Sequence, residues 1–97
     1  MAGVSQPARF GEDWSDERVR GYLDRVPPAG ENADFHALMT AYKHMRAIDF
    51  ERFVAFFVAA GRDLSATGTE GRSLLAIVRT HPKSADFVRI LEAAGAR

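Results

Sequence analysis

Cysteine is absent from this chain of 97 residues. Its absence excludes disulfide bonds, metal ligation by thiolate and a thiol nucleophile. The chain also lacks an apolar run of the roughly 18 residues that a membrane span needs, and its N-terminal residues lack the apolar segment of a secretory signal. The sequence therefore predicts a cytoplasmic protein that neither spans a membrane nor depends on disulfides.

The chain also has no excess of positive or negative charge, because 13 Lys and Arg balance 13 Asp and Glu. Residues 1–34 carry four arginines and seven acids, whereas residues 35–97 carry nine cations and six acids. This balance disfavours nucleic acid and anionic lipid as partners. The favoured interpretation is a solvated surface of mixed charge, and docking of the acidic first part on the basic second part is a second interpretation. Arginine far outnumbers lysine and alanine is frequent, a bias typical of GC-rich bacterial genomes.

The composition that remains is ordinary for one globular domain, with 46% apolar and 27% charged residues. Apolar residues recur at helical spacing, and no segment alternates as a half-buried strand does. We therefore expect a compact all-α domain of four to five helices over residues 15–97. Residues 1–14 are predicted to form a flexible tail, in which Phe10 is a candidate anchor for another molecule.

The apolar pattern predicts four helices and one shorter apolar segment. The helices span about 16–25, 33–46, 50–60 and 85–94, and the shorter segment spans 74–78. The predicted N-caps are Ser15, Asp49, Ser73 and Ser84, because their side-chain oxygens can accept the free N–H groups of a first turn. Val26 and Val58 continue the apolar stripes of the first and third helices, and the third helix should be the most buried.

A repeat emerges when the chain is shifted on itself by 34 residues. The shift places Gly61 on Gly95 and Phe53 on Phe87, so two helices share an apolar register and a terminating glycine. The stretch GRDLSATGTEGRSLL at 61–75 resembles the ankyrin repeat, whose spacing is G-A-D-V-N-A-x-D-x-x-G-x-T-P-L.

The helix that follows, FVRILEAAGA at 87–96, is similar to the second helix of that family. Leu74 and Ala76 stand where the family has proline and histidine. The resemblance covers about residues 50–97 and implies a helix-loop-helix unit that stacks against neighbouring helices.

The ankyrin resemblance also implies where a partner would bind. Ankyrin repeats bind other proteins through the loop before the short helix, which places Thr67, Thr69, Glu70 and Arg72 at the candidate surface. Phe56 lies off the core stripe of its helix and would face a neighbouring helix or a partner. A second resemblance, carried by DFHxLxxAYxxMRxxDF at 34–50, is to a small family of bacterial proteins of this length and implies no activity.

Catalytic chemistry finds little support in the sequence. The serines lack a G-x-S-x-G elbow, and no glycine-rich phosphate motif is present. His36 and His44 lie eight residues apart, which is not the spacing of a two-ligand helical metal site, so we expect one to be partly buried and one to be solvated. His81 precedes Pro82 at a helix end, where it is predicted to act as a cap.

The carboxylates are expected to be scattered over surfaces, without an acid/base pair. We therefore expect no enzyme, cofactor or metal. The favoured function is a non-catalytic protein-interaction or regulatory module, and its partner is expected to be another protein. The alternative is a small nucleic-acid-associated regulator that uses the Arg-rich second half. The sequence leaves the partner's identity and the oligomeric state open.

Overall fold

A computed structural model of the chain describes residues 14–97, in which five α-helices form. In chain order they are α1 (Asp16–Gly21), followed by a 3-10 turn (Tyr22–Asp24), α2 (Ala33–His44), α3 (Ala47–Ala59), α4 (Leu74–Val78) and α5 (Ala85–Ala93). The all-α prediction is confirmed: in the described part of the chain, extended pairing is limited to a single bridge between Thr67 and Ser73. Of the expected tail at 1–14, residues 1–13, which include Phe10, lie outside the described residues.

Helix α3 forms the centre of the core, as its apolar composition predicts. It packs against α1, α2 and α5, while α4 packs against α2 and α5. Phe50, Phe53 and Phe57 are fully buried along α3, with ring centroids 6.3 and 5.7 Å apart in succession. Phe87 of α5 lies 5.1 Å from Phe50, so the two helices that the repeat relates share one core.

The two repeat-related helices end in the same way. Gly61 and Gly95 have φ angles of 76° and 103°, the left-handed conformation that glycine adopts without a steric penalty. After the first, the Arg62 N–H donates to the Phe57 carbonyl at 3.2 Å. After the second, the Ala96 N–H donates to the Leu91 carbonyl at 3.0 Å. These bonds satisfy carbonyls that the helix leaves free, and they recur at the same offset of 34 residues.

Ser15 caps α1 as predicted, accepting the Arg18 N–H at 3.1 Å. The predicted cap at Asp49 is wrong, because α3 begins at Ala47, three residues before the predicted start, and its N-cap is Arg46. Asp49 lies within the first turn and is completely buried, which also corrects the expectation that the carboxylates lie at surfaces. Ser84 occupies the N-cap position of α5 but makes no side-chain capping bond, because its hydroxyl bonds to Tyr42.

Two residues expected in apolar stripes are exposed. Val26 is 85% exposed because the chain turns to an extended conformation at Arg25, after the 3-10 turn ends. Val58 is 46% exposed and borders a groove between α3 and α5, where the small Ala93 and Ala94 leave it uncovered. No helix between residues 14 and 97 is long and apolar enough to cross a bilayer.

Candidate partner-binding surface

The loop between α3 and α4 is anchored at its start by small and apolar side chains. Leu64 and Ala66 are both buried. Between them, the Ser65 N–H donates to the Asp63 carboxylate at 2.9 Å, a local turn that aspartate favours. The Ser65 hydroxyl in turn accepts the N–H of Arg97 at 3.1 Å, so the end of the chain is tied to this loop.

The second part of the loop is a small hairpin. Its ladder consists of the bridge between Thr67 and Ser73 and a bond from the Gly68 N–H to the Arg72 carbonyl at 3.0 Å. At the tip, the Gly71 N–H donates to the Gly68 carbonyl at 2.9 Å, and Gly71 has a φ of 79°. A turn followed by a left-handed glycine is a common three-residue hairpin loop. The sequence GTEG at 68–71 therefore folds locally into a defined tip rather than an open coil.

This hairpin tip rests on α2. A Cβ atom built on Gly68 would lie 2.6 Å from the Phe35 ring, closer than side chains approach one another. Phe35 is itself buried, so its ring has little room to withdraw. Only glycine allows the loop to approach the helix so closely, and the contact fixes where the tip stands.

A hollow of about 160 Å³ lies between the tip, α2 and the short helix α4. Phe35, Met39 and Ile77 supply apolar side chains to its wall. Thr69, Glu70 and Arg72 from the tip and Glu31 from the loop before α2 complete the lining, together with Gly68. The hollow is smaller than the pockets of about 300 to 1,000 Å³ that bind drug-sized molecules.

The predicted partner-binding residues are only partly brought together. Thr69, Glu70 and Arg72 line the hollow, and all three are exposed. Thr67 is exposed beside them but stands in the bridge to Ser73. Phe56 lies apart: it is half-buried on α3, with the Arg20 guanidinium of α1 4.9 Å above its ring. Of the two interpretations given to Phe56, the neighbouring helix matches this contact.

The helical side of the hollow was not predicted from the sequence. Phe35 and Met39 belong to the apolar stripe of α2, and such a stripe does not distinguish a core residue from one that walls a surface hollow. Gly68 was the available signal, since glycine often marks a position where another part of the protein approaches the backbone closely. It could not show which helix the loop approaches.

The two carboxylates at the hollow each lie near a basic side chain. The Glu31 carboxylate lies 2.9 Å from Nδ1 of His36, with both side chains about one quarter exposed. The Glu70 carboxylate lies 3.5 Å from the Arg72 guanidinium, with the side chains 80% and 51% exposed. Ion pairs this exposed contribute about 0 to 1 kcal/mol, so Glu70 can exchange Arg72 for another cation at little energetic cost.

The histidines of α2 lie in different environments, as expected: His36 is partly buried and His44 is exposed.

His81 does not cap a helix with its ring, contrary to prediction. Its Nδ1 lies 2.6 Å from the Tyr42 hydroxyl, which lies 2.7 Å from the Ser84 hydroxyl. The three side chains form a polar cluster that ties α2 to the turn between α4 and α5.

Among residues 14–97, no three His, Asp or Glu side chains are grouped so that they could hold a metal ion. No family model, curated protein or solved structure matches the chain.

Proposed function

We propose that the protein is a non-catalytic protein-interaction module whose binding surface is the hairpin tip together with the adjoining faces of α2 and α4. The observation that carries this proposal is the hollow at the tip, where Thr69, Glu70 and Arg72 stand exposed beside an apolar wall. Protein-binding surfaces commonly combine an apolar centre with a polar rim in this way.

The stacking of the helices supports the ankyrin-like interpretation of residues 50–97. Helix α3 packs on α5 and α2 packs on α4, so the pair α2/α3 lies against the pair α4/α5. Each pair ends at a left-handed glycine with the same bonding pattern. Such stacking buries apolar faces that one pair cannot bury alone, and it leaves the loop between the pairs free to bind.

Nucleic-acid binding by the Arg-rich second half is the weaker candidate. Six of the seven arginines in residues 35–97 form ion pairs with acids of the same chain: these are Arg46, Arg52, Arg62, Arg72, Arg79 and Arg89. Phosphate binding would have to replace those internal partners, which reduces the electrostatic gain on which such binding depends.

Affinity purification of the tagged protein from its native cells tests the proposal. We expect the wild type to retain a protein partner after nuclease treatment. We expect Glu70→Ala/Arg72→Ala to lose that partner. Asp86→Ala/Arg89→Ala is the matched control, because it removes one exposed acid and one exposed arginine from α5.

The amount of partner that the wild type retains should change little between 50 and 200 mM salt. Binding driven by about six or more phosphate contacts would instead lose affinity by powers of ten over that range. Loss of the partner with nuclease, or equal retention by the tip and α5 variants, would contradict the proposed surface.

A further inference from the structure

The shape of the hollow restricts what it can hold. At about 160 Å³ it is too small for a folded element or a cofactor, and it suits one side chain of a partner. Phe35, Met39 and Ile77 offer an apolar wall along which a chain of methylene groups can lie. The first requirement is therefore a long side chain with an aliphatic stem.

The charges around the hollow restrict the end of that side chain. Two carboxylates, Glu31 and Glu70, and one guanidinium, Arg72, lie in its lining. Glu31 is held in place by His36 at 2.9 Å, and Glu70 is mostly exposed with only a long contact to Arg72. Two carboxylates against one guanidinium give the lining a net negative charge, which favours a cation and disfavours a carboxylate.

We propose that the hollow binds a lysine or arginine side chain of the partner protein. The stem lies on the wall formed by Phe35, Met39 and Ile77, and the cationic end reaches the carboxylates of Glu31 and Glu70. Lysine and arginine bury their stems and keep their charged ends at polar rims in this manner. This inference rests on the proposed function, because it assigns the partner chemistry of the same surface.

A phage-displayed library of random dodecapeptides, selected on the immobilised full-length protein, tests the inference. We expect the enriched peptides to share a lysine or arginine at one position. Replacing that residue by methionine, which keeps an unbranched side chain but removes the charge, should weaken binding about tenfold or more. Because this comparison leaves the protein unchanged, it does not depend on the folding of a variant.

Protein variants locate the site. Glu70→Gln and Glu31→Gln should each weaken peptide binding about three- to tenfold. Glu51→Gln is the matched control, since Glu51 lines the groove between α3 and α5, and it should leave affinity unchanged. In a heteronuclear NMR titration of the labelled protein, the peptide should shift the amide signals of Phe35, Met39 and Ile77.

The outcomes separate the two proposals. Some peptides could shift the amide signals of the residues that line the hollow and yet bind without a lysine or arginine. That result would overturn the lysine or arginine assignment but would still support the proposed surface. Shifts confined to the groove between α3 and α5 would overturn both, as would a selection that enriches no peptide.

Discussion

Asp49 has the environment that sequence reasoning predicted least well. A buried carboxylate is costly unless several donors compensate for its lost hydration. Here it accepts the Trp14 N–H at 3.3 Å, Nε of Arg46 at 3.0 Å and Nη1 of Arg52 at 3.2 Å. Arg52 also donates to the Trp14 carbonyl at 2.6 Å. Asp49 therefore joins the segment before α1 to the first turn of α3.

We expect Asp49→Ala to lower the free energy of unfolding by about 3 kcal/mol, because it deprives a backbone N–H and two guanidinium groups of their shared acceptor. Urea denaturation followed by circular dichroism measures the change. Asp86→Ala is the control: that carboxylate pairs with Arg89 at the surface, and its loss should cost less than about 0.5 kcal/mol. Equal effects of the two variants would show that the Asp49 cluster contributes little to stability.

For single residues, local sequence patterns predicted which side chains can cap a helix, but not which distant groups those side chains contact. Ser15 fits its capping role because the capping bond is local. Asp49 and Ser84 have the same capping chemistry, but their oxygens bond to distant partners instead. Those partners, Trp14 and Tyr42, are 35 and 42 residues away in sequence, and no local pattern specifies such pairings.

At the scale of elements, the position of the binding loop depends on one close contact, between Gly68 and the Phe35 ring of α2. We expect Gly68→Ala to destabilise the protein by about 1 to 3 kcal/mol, because the added Cβ overpacks a buried ring. Thermal or urea unfolding measures this loss. In NMR spectra the signals of the hairpin tip should shift, since the tip must move away from α2.

Gly21→Ala provides the control for that substitution. A Cβ at Gly21 meets nothing within 4 Å, and alanine is favoured over glycine in a helix, so this variant should be neutral or slightly stabilised. Phe35→Leu should relieve part of the cost of Gly68→Ala, and the double variant should be more stable than the sum of the single effects. Strict additivity would mean that the loop does not depend on this contact.

The helices were largely predictable, whereas the loop was not. Strong apolar periodicity and terminating glycines locate α2, α3 and α5 to within a few residues, because those signals arise inside each helix. The hairpin over 67–73 lacks such a signal, since its strands are too short to alternate. Its tip residues were assigned to the binding surface by resemblance alone, and the apolar wall that makes the hollow comes from packing on α2.

In the whole molecule, two ion pairs join the acidic first part of the chain to the basic second part. Arg52 of α3 forms an ion pair with Asp16 of α1, and Arg62 after α3 forms one with Asp34 of α2. Arg62 also donates to the Leu23 carbonyl at 2.9 Å. The charge asymmetry was visible in the sequence, but which acid meets which arginine depends on how the helices pack.

The pair formed by Asp34 and Arg62 should make stability depend on pH. Burial raises the pKa of Asp34, but hydrogen bonds from Arg62 and the Asp63 N–H, with the charge of Arg62, outweigh burial and hold that pKa below its ordinary value of 3.8. A carboxyl whose pKa is lower in the folded state stabilises the fold above its ordinary pKa. The contribution is lost as the pH falls through the folded value.

We therefore expect Asp34→Asn to be less stable than the wild type by about 1 to 2 kcal/mol at pH 7, with the difference shrinking below about pH 4. Urea denaturation at pH 7, 5, 4 and 3 measures it. Asp24→Asn, which neutralises an exposed acid of the 3-10 turn, should show a smaller difference at every pH. The loss of stability in Asp34→Asn could instead stay constant down to pH 3, or the two variants could behave alike. Either result would show that the ionised Asp34 carboxylate does not stabilise the packing of α2 on the end of α3.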